Sequence, residues 1–245
     1  MFSPLPPLGT ARPPAASPLY TPIKRRSFFL YAGATAGATA LGLAGCKKSA
    51  DAGPTTVNVG AGDTGVLNYA YALEQLEAAF YTEVRKGSYY AGAVPFEKTV
   101  LDDLYAHEVI HREFFKTALA GNAIKALEPD FSGIDFTVRL AAAGAAKLGV
   151  LDAAKAFEDL GVAAYNGVAK YLTGADNLTL AGKIVSVEAR HAALIRDFIA
   201  NNTFVGPDVV NTANGLEISM EPAAVAAKAN AFLREGSKLD VSGIR

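Results

Sequence analysis

Cysteine occurs once in this 245-residue chain, at Cys46, and histidine only three times, at His107, His111 and His191. A lone cysteine closes no disulfide within the chain, so no such cross-link holds the fold. Three histidines with no Ser–His–Asp order offer nothing for a hydrolase triad, and no glycine-rich phosphate loop is present. Net charge is lacking as well: 23 basic residues against 24 acidic ones give no reason to expect nucleic acid as a partner. The first 45 residues hold no acidic group at all, only Arg12, Lys24, Arg25 and Arg26, which leaves 19 basic and 24 acidic residues beyond them, a formal net charge of −5. Hydrophobic residues are plentiful at 51%, enough for one domain with a substantial core.

The basic start reads as an export signal. Lys24 to Phe29 (KRRSFF) leads into the uncharged run Phe28 to Gly45, which ends in small residues before Cys46. Arg25-Arg26 followed by Ser27-Phe28-Phe29 resembles the twin-arginine export motif. Leu43-Ala44-Gly45-Cys46 resembles a bacterial lipobox, which implies that residues 1–45 are removed and that Cys46 carries lipid. An uncleaved membrane anchor is the alternative, since 18 uncharged residues just suffice to cross a bilayer. On either reading the basic side stays inside, and the domain lies in the cell envelope, outside the cytoplasmic membrane. Residues 1–23, rich in Pro and Ala, read as an extended leader or a mis-assigned start. Residues 46–63 are short, polar and Gly-rich, and read as a flexible tether between lipid and domain.

Helical periodicity then dominates. The spacing predicts helices over roughly Thr64–Val84, with Asp63 or Thr64 as N-cap, then Phe96–Ala120, closed by Gly121, then Leu151–Leu172 and Leu178–Ala200. Pro95 suits the start of the second. The segment 122–150, with Pro129 and several glycines, reads as a crossover containing a short or broken helix. Its length is enough to traverse a bundle. The expected fold is therefore all-α: a four-helix bundle over residues 64–201 with a long crossover between helices two and three. Residues 202–245 form a C-terminal extension, in which AAVAAKANAFLRE makes one more helix packed on the bundle.

Chemistry sits inside the apolar stripes. Glu108 and His111 are three apart, as are Glu188 and His191, so each pair points a carboxylate and an imidazole from one helix face. Those are ligand types for iron, manganese or zinc. Each pair is preceded by a Glu with a Tyr seven residues on: Glu74 with Tyr81, and Glu158 with Tyr165. The chain thus repeats one half-molecule, and a carboxylate in the stripe of helix one is costly unless paired or metal-bound. Glu77, one turn beyond Glu74, reads as an ordinary solvated residue. His107, rotated off the face of Glu108, reads as a surface group or a partner of a ligand.

This alternation of Glu, Glu-x-x-His, Glu, Glu-x-x-His over Gly65 to Ala200 resembles the ferritin-like superfamily of di-iron and di-manganese carboxylate bundles. LEQLEAAFY and FEDLGVAAYNGVAKYL more specifically resemble its exported ferritin-like domain family, which includes plant desiccation-related proteins. The resemblance implies Glu74, Glu108, His111, Glu158, Glu188 and His191 as ligands of two iron or manganese ions. Glu108 and Glu188 would bridge, Glu74 and Glu158 would be terminal, and one histidine would serve each ion. Tyr81 and Tyr165 would orient carboxylates by hydrogen bonds, or serve simply as core tyrosines. Oxygen or peroxide would be the reactants, and the activity ferroxidase-like or peroxide-dismutating, protective under oxidative stress. A non-enzymatic, stress-associated structural or metal-binding envelope protein is the alternative, because metal that binds only the native state stabilises it without turnover. A homo-oligomer is compatible with this pattern, but lipid at every N-terminus fits a closed storage cage poorly.

Overall fold

The computed structural model describes residues 55–245. The twin-arginine motif, the lipobox with Cys46 and most of the expected tether lie outside them. The element order is β1 (Thr56–Asn58), α1 (Gly62–Val84), α2 (Ser88–Gly92), α3 (Pro95–Leu119), β2 (Ile134–Asp135), β3 (Leu148–Gly149), α4 (Val150–Val168), α5 (Ala175–Ile199), α6 (Pro222–Ala229) and β4 (Lys238–Asp240). The fold is all-α in character, a bundle of four long helices, α1, α3, α4 and α5. Among the described residues no helix is long and apolar enough to cross a membrane.

α1 is buried on nearly every side, as its run of Ala, Leu, Tyr and Phe requires. Its side chains Phe80 and Tyr81, with Phe157 from α4, centre an aromatic core; the Phe80 and Phe157 rings lie 4.9 Å apart. α1 packs chiefly against α3, and α4 against α5. Pro95 opens α3 at its first position, where a missing N–H costs nothing, and Lys116 in the last turn suits the negative end of the helix.

Several local expectations are corrected. α3 stops at Leu119, and its C-cap is Ala120, whose φ of 47° is positive, so the chain turns one residue before Gly121. Asp63 does not cap α1, whose N-cap is Ala61 with no side-chain bond. It instead accepts hydrogen bonds from the backbone of Thr173 and Gly174 and from Asn177, tying the entry of α5 to the start of α1. The crossover holds no helix beyond the single turn Ala120–Asn122. It is extended, with β2 parallel to β3, because Pro129 and the left-handed Gly144 interrupt any helical run. Arg139 pins it to α3 and α5 by bonds to Glu97 (2.9 Å) and the Phe198 carbonyl (2.6 Å).

The segment 56–58, expected within the tether, is β1, and it pairs in parallel with β4 from the far end of the chain. The C-terminal helix is shorter than expected, ending at Ala229 before a single turn, Asn230–Phe232. Val225 and Ala229 are fully buried in the main core. The Phe232 ring meets Phe157 at 4.8 Å. Gly167 lets this segment approach α4: a Cβ there would collide with the Met220 carbonyl oxygen, beside the Met220 N–H bond to Ala163 O.

Candidate metal centre

Each long helix delivers one or two polar side chains to the middle of the bundle. α1 brings Glu74, α3 brings Glu108 and His111, α4 brings Glu158, and α5 brings Glu188 and His191. The helical spacing of three places each Glu and His of a pair on one inward face. All four carboxylates are wholly excluded from solvent, and His191 nearly so. The six residues that the repeat singled out are therefore brought together.

Their donor atoms form two groups, Glu74, Glu108, His111 and Glu188, and Glu108, Glu158, Glu188 and His191, each with its atoms within 4.8 Å of one another. Glu108 and Glu188 belong to both. His111 Nδ1 faces Glu188 Oε1 at 2.9 Å, Glu74 Oε2 at 3.4 Å and Glu108 Oε2 at 3.5 Å. His191 Nδ1 faces Glu108 Oε1 at 2.9 Å, Glu158 Oε2 at 3.4 Å and Glu188 Oε2 at 3.8 Å. Each shared carboxylate turns one oxygen to each histidine. None of these facing atoms has a hydrogen-bond partner, although all are buried. Eight unpartnered buried polar atoms converging on two points are costly in a protein of ordinary composition, and a cation at each point removes that cost. The hard oxygen and imidazole donors suit iron, manganese or zinc.

The remaining carboxylate oxygens are held from across the bundle. Tyr81 Oη of α1 donates to Glu158 Oε1 of α4 at 2.5 Å, and Tyr165 Oη of α4 donates to Glu74 Oε1 of α1. The repeat is thus reciprocal, each half's tyrosine holding the other half's glutamate. His107, exposed on α3, reaches the centre after all: its Nδ1 lies 2.8 Å from His191 Nε2, and the two rings stack at 5.1 Å.

Glu77 departs from expectation. It is only 3% exposed, and its Oε2 has no hydrogen-bond partner. It lies beside the cluster because α1 is buried all round at this level, so one turn beyond Glu74 is still interior.

The charges interact strongly. Burial first, and then the carboxylates of Glu108 and Glu74, push Glu188 well above the ordinary carboxylate range. Burial pushes Glu74 up to about 7. Burial would also raise Glu108, but the imidazoles of His111 and His191 outweigh it and hold that carboxyl down to about 2. Burial would lower both histidines, yet the facing carboxylates raise His111 to about 12 and His191 to about 11. Without metal, the cluster holds protons where a metal would put positive charge.

A family model described as a ferritin-like domain matches residues 62–201. No curated protein matches the chain.

Proposed function

Since the chain belongs to the ferritin-like domain family, we propose that its buried cluster holds two iron or manganese ions and serves redox protection against oxygen or peroxide. The observation that carries this reading is the division of Glu108 and Glu188, each with one oxygen towards His111 and the other towards His191. Two shared carboxylates offset the mutual repulsion of two close cations, and one ion alone would not call for that arrangement. Glu74 and His111 complete one set of ligands, Glu158 and His191 the other. Four carboxylates balance two divalent ions, and neutral imidazoles add donors without adding charge.

The bound ions would supply one-electron redox chemistry towards oxygen or peroxide. The chain's own groups hold and orient. Tyr81 and Tyr165 fix the outer oxygens of Glu158 and Glu74, leaving Oε2 of each for the centre. A histidine that ligates through Nδ1 carries its proton on Nε2, so His191 would donate to His107 Nδ1 and keep its ring aligned. Burial keeps bulk water from the carboxylates and preserves their strength as ligands.

On our reading of residues 1–46, the domain is exported to the cell envelope, outside the cytoplasmic membrane, and is tethered there by lipid on Cys46. Twin-arginine export suits a metal protein, because it carries folded chains and lets the ion be chosen before export. Anaerobic loading with iron or manganese, followed by oxygen or peroxide, tests the function. Two ions per chain with consumption of either oxidant are expected. Two ions without consumption would instead favour a structural or metal-binding role, and no bound metal would remove the reading.

A further inference from the structure

The internal repeat is broken at one position beside the metal centre. Glu77 stands three residues after Glu74 on α1; its counterpart, three residues after Glu158 on α4, is Gly161. The two meet in space. A Cβ placed on Gly161 would lie 3.0 Å from Glu77 Oε1 and 3.6 Å from Glu188 Oε2. Glu77 thus uses the room that a side chain at the matching position would fill.

Its surroundings are acidic. Glu188 exerts the largest repulsion on it, followed by Glu108, Glu74 and Glu158. A wholly interior carboxylate with an unpartnered oxygen, set among other carboxylates, is expensive unless a cation answers it. We propose that Glu77 is a seventh ligand of the centre, a fifth carboxylate that serves the ion held by Glu158, Glu188 and His191. This rests on the two-metal reading above.

The side is set by geometry. Glu188 Oε2, the oxygen that shares the space over Gly161 with Glu77, is the one turned to His191. Gly161 itself follows Glu158 by a single helical turn. Glu77 lies outside both compact groups of donors and would reach the ion through the room over Gly161 that it already uses. The matching position on α4 is that glycine, so the Glu74 side has no equivalent carboxylate. The two metal positions are consequently inequivalent. The extra anionic oxygen adds negative charge at one of them, which favours an ion of higher charge there.

Cobalt(II) is a suitable probe, because its visible absorption reports the number and type of ligands. The metal-free full chain would be titrated anaerobically in wild-type, Glu77→Gln and Gly161→Ala forms. Glu77→Gln keeps the shape and removes the charge; Gly161→Ala keeps Glu77 and crowds it. The wild type should bind two ions. Glu77→Gln should weaken one of the two by at least about tenfold and change the absorption of that ion alone, and Gly161→Ala should act on the same ion in the same direction. Two ions with wild-type affinities and spectra in Glu77→Gln would overturn the assignment while leaving the two-metal centre standing. Equal weakening of both ions would overturn it too, because that is a general charge effect. A wild-type chain that binds no cobalt would sink the two-metal reading, and Glu77 with it. If Glu77→Gln fails to fold, Gly161→Ala decides by the same criteria.

Discussion

Tyr81 on α1 donates a 2.5 Å hydrogen bond to Oε1 of Glu158 on α4, 77 residues away in the chain. The bond couples the two halves of the repeat through the outer edge of a candidate ligand. Tyr81 is entirely buried, so its hydroxyl has no water to turn to if the bond is lost.

Tyr81→Phe removes that bond and nothing else of the ring. A buried hydrogen bond to a charged group contributes about 1.5–3 kcal/mol, so a loss of this order in the metal-loaded protein is expected. Metal affinity should fall by about 10–100-fold, as when the outer partner of a ligand is removed. Thermal unfolding with and without chelator, together with a metal titration, checks both. An unchanged affinity would mean that the tyrosine merely fills space.

Glu108→Ala should have a larger effect than any terminal ligand. Glu108 faces both histidines, so its loss affects both positions, and bound metal should fall from two ions towards none. Glu83→Ala, on the outer side of α1, where Glu83 pairs with Lys86, should leave two ions bound. Elemental analysis of the purified variants checks this. Two ions retained by Glu108→Ala would remove the shared-carboxylate arrangement.

The six-residue pattern was legible because Glu108 with His111 and Glu188 with His191 obey a local rule: three residues along a helix share a face. Glu77 obeys the same rule relative to Glu74, and local spacing cannot tell a buried neighbour from a solvated one. What distinguishes it is Gly161, on another helix, and no periodicity in α1 encodes that. His107 lies off the face of Glu108, as adjacency on a helix requires. Its bond to His191 depends on the approach of α3 to α5 at this level, which is tertiary. The pairing of β1 with β4 joins the two ends of the described chain. Three-residue strands carry no periodic signature in sequence, so this pairing is visible only in the fold.

Export can be tested apart from the metal. Replacing Arg25 and Arg26 together by Lys preserves positive charge, which suffices for general secretion, but removes the twin-arginine pair. The double variant should remain in the cytoplasm, as judged by fractionation. The intact mass of the exported wild type should lack residues 1–45 and include acyl chains on Cys46. A soluble exported form that keeps Phe28 to Gly45 would contradict the lipobox reading.

Metal and protons should compete. His111 and His191 are raised to about 12 and about 11 by the carboxylates around them, so both are protonated in the metal-free protein at neutral pH. A metal needs their Nδ1 lone pairs and therefore displaces those protons, together with any held by Glu188 or Glu74. Binding should release protons to the buffer, and affinity should rise with pH between about 6 and 8. The stability linkage of the metal-free protein runs the other way. A histidine whose folded pKa lies above its unfolded value of about 6.5 contributes its full stabilisation below that value. That contribution declines as pH rises and is lost as pH passes through about 11 and about 12. Metal loading should invert the trend, because the bound ion replaces the protons as the partner of the carboxylates. Calorimetric titration in two buffers of different ionisation enthalpy measures the proton count directly, and melting curves with and without chelator from pH 6 to 9 measure the slope. No proton release, or affinity that falls as pH rises, would show that His111 and His191 do not ligate through the nitrogens that face the carboxylates.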